Sequence, residues 1–477
     1  MSTPLRLFNS LTRQLEEFQP LNGNEARVYT CGPTVYNYPH IGNMRAYVFA
    51  DTLGRVLRFK GYDLRHVINI TDVGHLTDDA DAGEDKLEKA ARTNAQSIWD
   101  IAKHYTEAYW ADVKALNIRE PYKWSIATDY VPAMIEFAKG IAAEHCYELD
   151  GGLYFDTATV ADYGRLARHK TDEGESRIDP VEGKRNAADF AIWRKTPPGQ
   201  TRQMEWDSPW GRGAPGWHLE CSVMSEAILG LPFDIHTGGI DHREIHHPNE
   251  IAQNQAHCHS DDSGARFWMH NNFLIDRTGK MSKSSGEFLR LQLLIDRGFH
   301  PLAYRLMCLQ AHYRSELEFS WDNLAAAFVR LKRLVMAVEA LRARADGDVV
   351  LAPEAEALLA RFDEAVSDDL NLPKALPLLD EALAAKKIGP SARLHIVERM
   401  DQVLGLELDG TARAALRVRP KDTRMSEDDI ESRLADRKNA RANKDFATSD
   451  LIRDELIAAG VEVMDGDPLG WDWRIEA

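Results

Sequence analysis

The sequence predicts an α/β domain built on a parallel sheet, broken by an insertion and followed by an α-helical bundle and a small C-terminal module. Three observations carry this expectation. Residues 27–70 show a strand, turn, helix, strand succession, and from about residue 321 the apolar spacing shifts to a period of about 3.6. Basic residues gather between 413 and 444, and two tryptophans, Trp471 and Trp473, lie near the end of the chain.

Each element has a local reason. Arg27-Val28-Tyr29-Thr30-Cys31 alternates as a strand does, and Gly32-Pro33 ends it. After His40-Ile41-Gly42 a helix is expected, with Tyr47, Val48, Leu53, Val56, Leu57 and Phe59 on a broad apolar face. Gly61-Tyr62 then leads into a second strand, Leu64 to Ile70, which completes a βαβ unit. Phe233-Asp234-Ile235-His236 and Phe273-Leu274-Ile275 are expected as later strands of the same sheet. The sheet domain is therefore expected as 1–115 and 206–275, with an inserted domain at 116–205 that holds a strand at Gly152 to Asp156.

A loop-containing region, 276–320, precedes the bundle at 321–406. One helical stripe there runs Phe328, Leu331, Leu334, Val335, Val338 and Leu341. A second carries Leu358, Leu359, Phe362 and Val366 and ends near Asn371-Leu372-Pro373, because proline restricts the residue before it. A third carries Leu394, Val397, Met400 and Leu404 and stops at Gly405. These stripes are expected to be bundle core. Residues 407–425 are polar and basic, as in a linker, and 425–477 form the terminal module.

With 477 residues, 44% hydrophobic and 28% charged, the chain is long enough for about three soluble domains. No apolar run approaches the roughly 20 residues that cross a bilayer, and the first residues lack a signal-peptide core. Five cysteines, odd in number and widely spread, argue for a reducing compartment and a cytoplasmic protein. The net charge of −17 does not exclude RNA, because basic residues gather near the C-terminus, from Arg413 through Arg424 and from Arg433 to Lys444.

Two distant segments offer groups suited to a nucleotide triphosphate. His40-Ile41-Gly42-Asn43 supplies an imidazole and backbone N–H groups, and Lys280-Met281-Ser282-Lys283-Ser284 supplies two ammoniums and two hydroxyls. A metal site has partial support. His246 and Glu250 lie four apart with Pro248 in the first turn of a helix, which puts both side chains on one face. Cys31 and Cys221 would complete a tetrahedral zinc set. Spacing alone does not establish it, because the two thiols are not in a Cys-x-x-Cys pair and a lone cysteine is often just a small buried hydrophobe.

In this order and at this separation, the two phosphate-suited segments resemble the paired signatures of class I aminoacyl-tRNA synthetases. Cys31-Gly32-Pro33-Thr34-Val35-Tyr36 resembles the start of cysteinyl-tRNA synthetases in particular. So do Gly216 to Cys221, Asp234 to Asp241 and His246 to Gln253, then Ala311-His312-Tyr313-Arg314-Ser315 and Lys444 to Leu456. The resemblance implies a Rossmann-like class I catalytic domain with an inserted connective domain, a helical bundle and a small α+β anticodon-binding module. It implies one Zn²⁺ held by Cys31, Cys221, His246 and Glu250, and a cysteine site made by Cys31, Gly32, Thr71, Trp217 and His236. By the same resemblance His40, Gly42, Asn43, Gly239, Asp241 and Lys283 bind ATP, and His40, Asn43, Lys280 and Lys283 serve catalysis. For Trp217 ordinary core packing is the alternative.

That chemistry is coherent. Serine differs from cysteine only by oxygen for sulfur, which an apolar pocket rejects poorly, whereas zinc favours thiolate. The implied reaction activates L-cysteine with ATP and Mg²⁺ and passes it to the terminal adenosine of tRNA(Cys), with no membrane partner and a monomeric enzyme. Asn43 stands where the general class signature has a second histidine. The acidic stretch from Val73 to Lys86 is longer than is common in the family and is expected as a solvated loop, with a divalent-cation site as the alternative.

In the terminal module Trp471, Trp473 and Arg474 are expected to meet unpaired anticodon bases, the competing reading being two tryptophans that close a small core. Arg437 and Lys438 are expected to track phosphates. A ligase that transfers the same adenylate to an amino sugar is the nearest rival, and a non-catalytic RNA-binding paralogue is another. The C-terminal residues from about 425 onward, with their Arg433–Lys444 cluster and two tryptophans, speak against the first, and the intact lysine signature against the second. No His-Glu-x-x-His supports a zinc peptidase.

Overall fold

The computed structural model describes residues 3–73, 97–167, 183–261, 264–276, 279–280 (backbone only), 289–345, 347, 349, 351–423 and 425–475. Its centre is a five-stranded sheet in the order Ala265–Asn271, Phe233–Gly239, Glu25–Thr30, Asp63–Ile70, Lys123–Ile126, with every neighbouring pair parallel. The strands Phe233–Gly239 and Ala265–Asn271 are almost wholly buried although their residues are mixed polar and apolar. The strand order reverses at Glu25–Thr30, which pairs Asp63–Ile70 on one side and Phe233–Gly239 on the other. In open α/β sheets such a switch point opens a crevice at the carboxyl ends of the strands. The helix Ile41–Phe59 makes the right-handed crossover between the first two strands and buries Tyr47, Val48, Leu53, Val56 and Leu57.

Two expectations about this sheet are corrected. Lys123–Ile126 is one of its strands, so the insertion begins after it and not at 116. The inserted four-stranded antiparallel sheet, Cys146–Leu149, Gly152–Phe155, Phe190–Lys195 and Gly213–Pro215, also runs past 205. Phe273-Leu274-Ile275 lies outside the central sheet: Leu274–Asp276 pairs with Gly279–Lys280 and Leu317–Glu318 in a small sheet of its own. The edge place belongs to Ala265–Asn271, whose mixed polar and aromatic residues hid a strand from periodicity.

The bundle holds the three expected stripes and one further helix. Trp321–Arg342, Pro353–Ser367 and Pro390–Leu404 match them, and Gly405 caps the last in the left-handed region at φ 65°. Leu372–Ala384 is the addition. Proline at its first turn is compatible with a helix start as well as a helix stop, and Asn371 caps it by accepting from the Lys374 N–H.

Arg305, fully buried, locks bundle to sheet domain. It donates to the Leu404 carbonyl at 2.7 Å and to the Leu116 carbonyl at 3.1 Å, and pairs with Asp51 at 2.6 Å. Burial pushes the Asp51 carboxyl up, but Arg305 and Arg55 outweigh it and hold the group below its usual range.

The C-terminal module packs two helices, Glu427–Ala442 and Phe446–Ala458, on an antiparallel pair, Val461–Val463 with Trp471–Trp473. Here the anticodon expectation is corrected. Trp471 and Trp473 are 0% and 2% exposed and sit edge to face in the module's own core with Ile430, Ile452, Leu456 and Val461. Two indoles were the largest apolar groups available to so small a module, so burial wins over display. Arg437 is buried against Asp465 at 2.7 Å, which removes it from the surface as well. Lys438 and Arg474 stay exposed.

Replacing Arg305 with methionine leaves Asp51 buried with one cation fewer, so a loss of about 3–5 kcal/mol is expected in denaturant unfolding. Because the Asp51 pKa is depressed in the fold, the pair's contribution is present above the unfolded value of about 4 and fades as pH falls below it. The wild-type minus R305M gap in unfolding free energy should therefore narrow in acid.

Candidate active site and metal centre

The crevice at the switch point is a cavity of about 340 Å³. Its walls include Cys31, Gly32, His40, Gly42, Asn43, Thr71, Trp217, Cys221, Gly239, Asp241 and His246, so most of the residues singled out in the sequence meet here. Cys31 follows directly on the strand Glu25–Thr30, its N–H bonded to the Thr237 carbonyl of the neighbouring strand at 3.1 Å. Gly32 has no alternative: a Cβ there would lie 1.5 Å from the Asn69 carbonyl oxygen. Its N–H donates to the Asn69 side-chain oxygen at 2.7 Å. A Cβ at Gly239 would meet the Asp241 carboxylate at 2.4 Å.

His40 and Asn43 form a reciprocal cap on the helix Ile41–Phe59. The Asn43 N–H donates to His40 Nδ1 at 3.1 Å, and the His40 N–H donates to Asn43 Oδ1 at 3.2 Å. This gives asparagine at 43 a structural reason. With Nδ1 accepting, the neutral imidazole carries its proton on Nε2, a donor at a helix N-terminus. Of the signature lysines, the backbone of Lys280 is described and Lys283 lies outside the described residues, as does the acidic stretch from residue 74 to Lys86.

At the cavity floor the ligand atoms of Cys31, Cys221, His246 and Glu250 all lie within 4.8 Å of one another, and all four residues are buried. Cys221 comes from the helix Trp217–Leu229, and His246 and Glu250 from the first turns of His246–Cys258. A second grouping, Cys31, His236, His247 and Glu250, shares two of these residues. The two groupings differ in their hydrogen bonds. His247 is committed at both nitrogens, to Cys31 Sγ at 3.3 Å and His270 Nε2 at 2.8 Å, and His236 Nε2 is held by Glu250 Oε2 at 2.8 Å. His246 is tied at Nδ1 to His218 at 2.8 Å, which turns its Nε2 toward Glu250 Oε1, 3.1 Å away. That carboxylate oxygen is buried without a directed hydrogen bond.

The donor set suits a soft divalent cation. Two thiols, an imidazole and a carboxylate are zinc's ordinary ligands, and all four are buried together. Burial pushes the Cys31 thiol up, whereas a hydrogen bond from Cys31 and the neighbouring His246 bring Cys221 down to about 6 against burial and Glu250. Burial raises Glu250 too, but His236 and His246 overcome it and set it at about 2. A thiolate and a carboxylate are thus already favoured before any cation adds its charge.

Several neighbours had no role assigned from the sequence, apart from His236, which was expected in the cysteine site. His218 and His236 hold ligand side chains in place. Glu220 accepts from the Thr71 hydroxyl at 2.8 Å and so orients it, and Asn69 serves both Gly32 and Thr71. Only Glu220 and His218 had a legible signal, since they flank Cys221 in one motif. His236 lies beneath the cavity wall, stacked on Trp268, and reaches the site through Glu250.

Comparison with known proteins gives a consistent result. A model of the catalytic domain of class I (C) tRNA synthetases matches residues 17–329. The cysteine–tRNA ligase of Novosphingobium aromaticivorans is 70% identical over 99% of this chain and 98% of its own length. That of Zymomonas mobilis is 55% identical over 100% and 99%. Among solved structures, a leucyl-tRNA synthetase of Agrobacterium radiobacter in complex with tRNA shares the fold at TM-score 0.58 and 13% identity, covering 93% of this chain and 94% of its own. A Mycobacterium tuberculosis methionyl-tRNA synthetase does so at 0.54 and 15%, over 80% and 90%. The chain belongs to the cysteine–tRNA ligase family of class I aminoacyl-tRNA synthetases.

Proposed function

We propose that this protein activates L-cysteine with ATP to cysteinyl-adenylate and pyrophosphate, then transfers cysteine to the 3′-terminal adenosine of tRNA(Cys). The observation that carries the reading is the meeting of a two-thiol, imidazole and carboxylate cluster with the His40-capped helix N-terminus in one cavity. In the first step a cysteine carboxylate oxygen bonds to the α-phosphorus and the bond to the pyrophosphate oxygen breaks. In the second, a ribose hydroxyl of the tRNA attacks the acyl carbon, loses its proton and expels AMP.

The work is positioning and charge neutralisation. His40 Nε2–H and the helix N-terminus face the phosphates, and Asn43 holds the imidazole in the donating tautomer. Lys280 and Lys283 add positive charge where it develops on the triphosphate, which Mg²⁺ accompanies. Gly32 packs directly on the Asn69 backbone and Gly239 on the Asp241 carboxylate, which shapes the cavity wall, and Asp241 would contact the adenosine. Thr71, oriented by Glu220, and Trp217, packed 4.5 Å from His246, bound the amino acid. Zn²⁺ on Cys31, Cys221, His246 and Glu250 would accept the substrate sulfur as a thiolate and so favour cysteine over serine. Lys438 and Arg474 offer the exposed positive charge for tRNA in the terminal module. The enzyme would work as a monomer in the cytoplasm.

ATP–pyrophosphate exchange with cysteine against serine tests the reading. Exchange should require cysteine and fall at least about 100-fold in Cys221→Ser as zinc content drops; equal response to serine at full zinc content would refute metal-based selection. Lys438→Ala should leave exchange unchanged, weaken tRNA binding, and lower the salt slope of binding by about one unit.

A further inference from the structure

A group of ligand-capable side chains lies outside the cavity, at the junction between the insertion and the helix His246–Cys258. We propose that Glu144, His145 and His259 form a second, solvent-facing site for a zinc-like divalent cation. Their ligand atoms lie within 4.8 Å of one another, and among the described residues they are the one such group apart from the buried cluster.

The backbone makes this spot attractive to a cation. Glu144 and His145 are the last two residues of the helix Val131–His145, and His259 follows directly on His246–Cys258. Two helices therefore end side by side, each turning its unsatisfied carbonyls and negative pole toward the same place. Their packing is held close by, where Phe137 stacks on His257 at 4.2 Å.

The ligands are also prepared. The Thr159 hydroxyl sits 2.9 Å from His145 Nδ1, and the ring lies nearly parallel to Phe155, at 6°. His259 adopts the left-handed conformation, φ 48° and ψ 40°, a helix-end place that glycine usually takes.

Two imidazoles and a carboxylate select zinc, nickel or copper over magnesium or calcium. Three protein ligands leave the outer positions to water, so this ion exchanges faster than one held by the buried thiolates. Its ligands come from both sides of the junction, so occupancy clamps the insertion to the helix that carries His246 and Glu250.

The test uses the full-length protein dialysed against buffered Zn²⁺ and analysed for metal content, with His259→Gly and Glu144→Gln beside the wild type. H259G suits the left-handed turn, so it removes the ligand without endangering the fold. The wild type is expected to hold one more equivalent than either variant. A parallel Co²⁺ titration separates the two sites, because only the ion bound to Cys31 and Cys221 shows thiolate charge-transfer absorption. The extra equivalent should add none, and it should vanish in both variants. Equal metal content in wild type and H259G, or an extra equivalent that survives in both variants, overturns the proposal.

Discussion

Everything at the active site depends on the pairing of Glu25–Thr30 with Phe233–Gly239, strands about two hundred residues apart in the chain. Buried Asp234 stitches them: its carboxylate accepts from the Arg27 N–H at 2.8 Å and from the Leu21 N–H at 2.6 Å. Further along, the Thr30 and Thr237 hydroxyls meet at 2.7 Å. Parallel pairing puts both carboxyl ends on the same edge, and this delivers Cys31 from one strand beside Gly239 and Asp241 from the other. The βαβ crossover then brings the N-terminus of Ile41–Phe59, with His40, to the mouth of the same crevice.

The buried cluster of Cys31, Cys221, His246 and Glu250 is costly to assemble, because two thiols and a carboxylate leave water together. The surrounding histidines offset part of this. His218, His236, His247 and His270 form a hydrogen-bonded surround in which each contacts a ligand or another histidine. Burial keeps His247 and His270 well below the usual imidazole range, so they act as neutral dipoles and do not compete as cations. The surround fixes side-chain direction.

Outward from the sheet, single buried polar groups tie the later regions to the catalytic one. Asp369 accepts from the Phe8 N–H at 2.9 Å, the Tyr313 hydroxyl at 2.7 Å and Arg314 at 2.7 Å, so the motif after the signature loop joins the N-terminal strand and the bundle. The stretch from 407 to 423 is less a free linker than a strap. Its Leu408 and Leu416 are buried, Arg413 pairs with Asp467, and the Arg417 guanidinium lies 3.6 Å over the Trp471 ring. Lys332 reaches Asp472 at 2.6 Å and anchors the terminal module to the bundle directly.

The sequence by itself determined the parts that rest on local chemistry. The βαβ unit, the bundle stripes and the Gly405 stop follow from apolar period and backbone freedom, which neighbours along the chain suffice to set. The motifs around Cys31, Cys221 and His246 likewise announced their residues before any coordinates. Tertiary structure decided what depends on partners far away in the chain. It made Ala265–Asn271 an edge strand through its pairing with Phe233–Gly239, gave His246 and His247 separate hydrogen-bond partners, and sent Trp471 and Trp473 inward. A tryptophan's period and composition are the same whether it stacks on a base or closes a core; only the surface left to cover in a small module distinguishes the two.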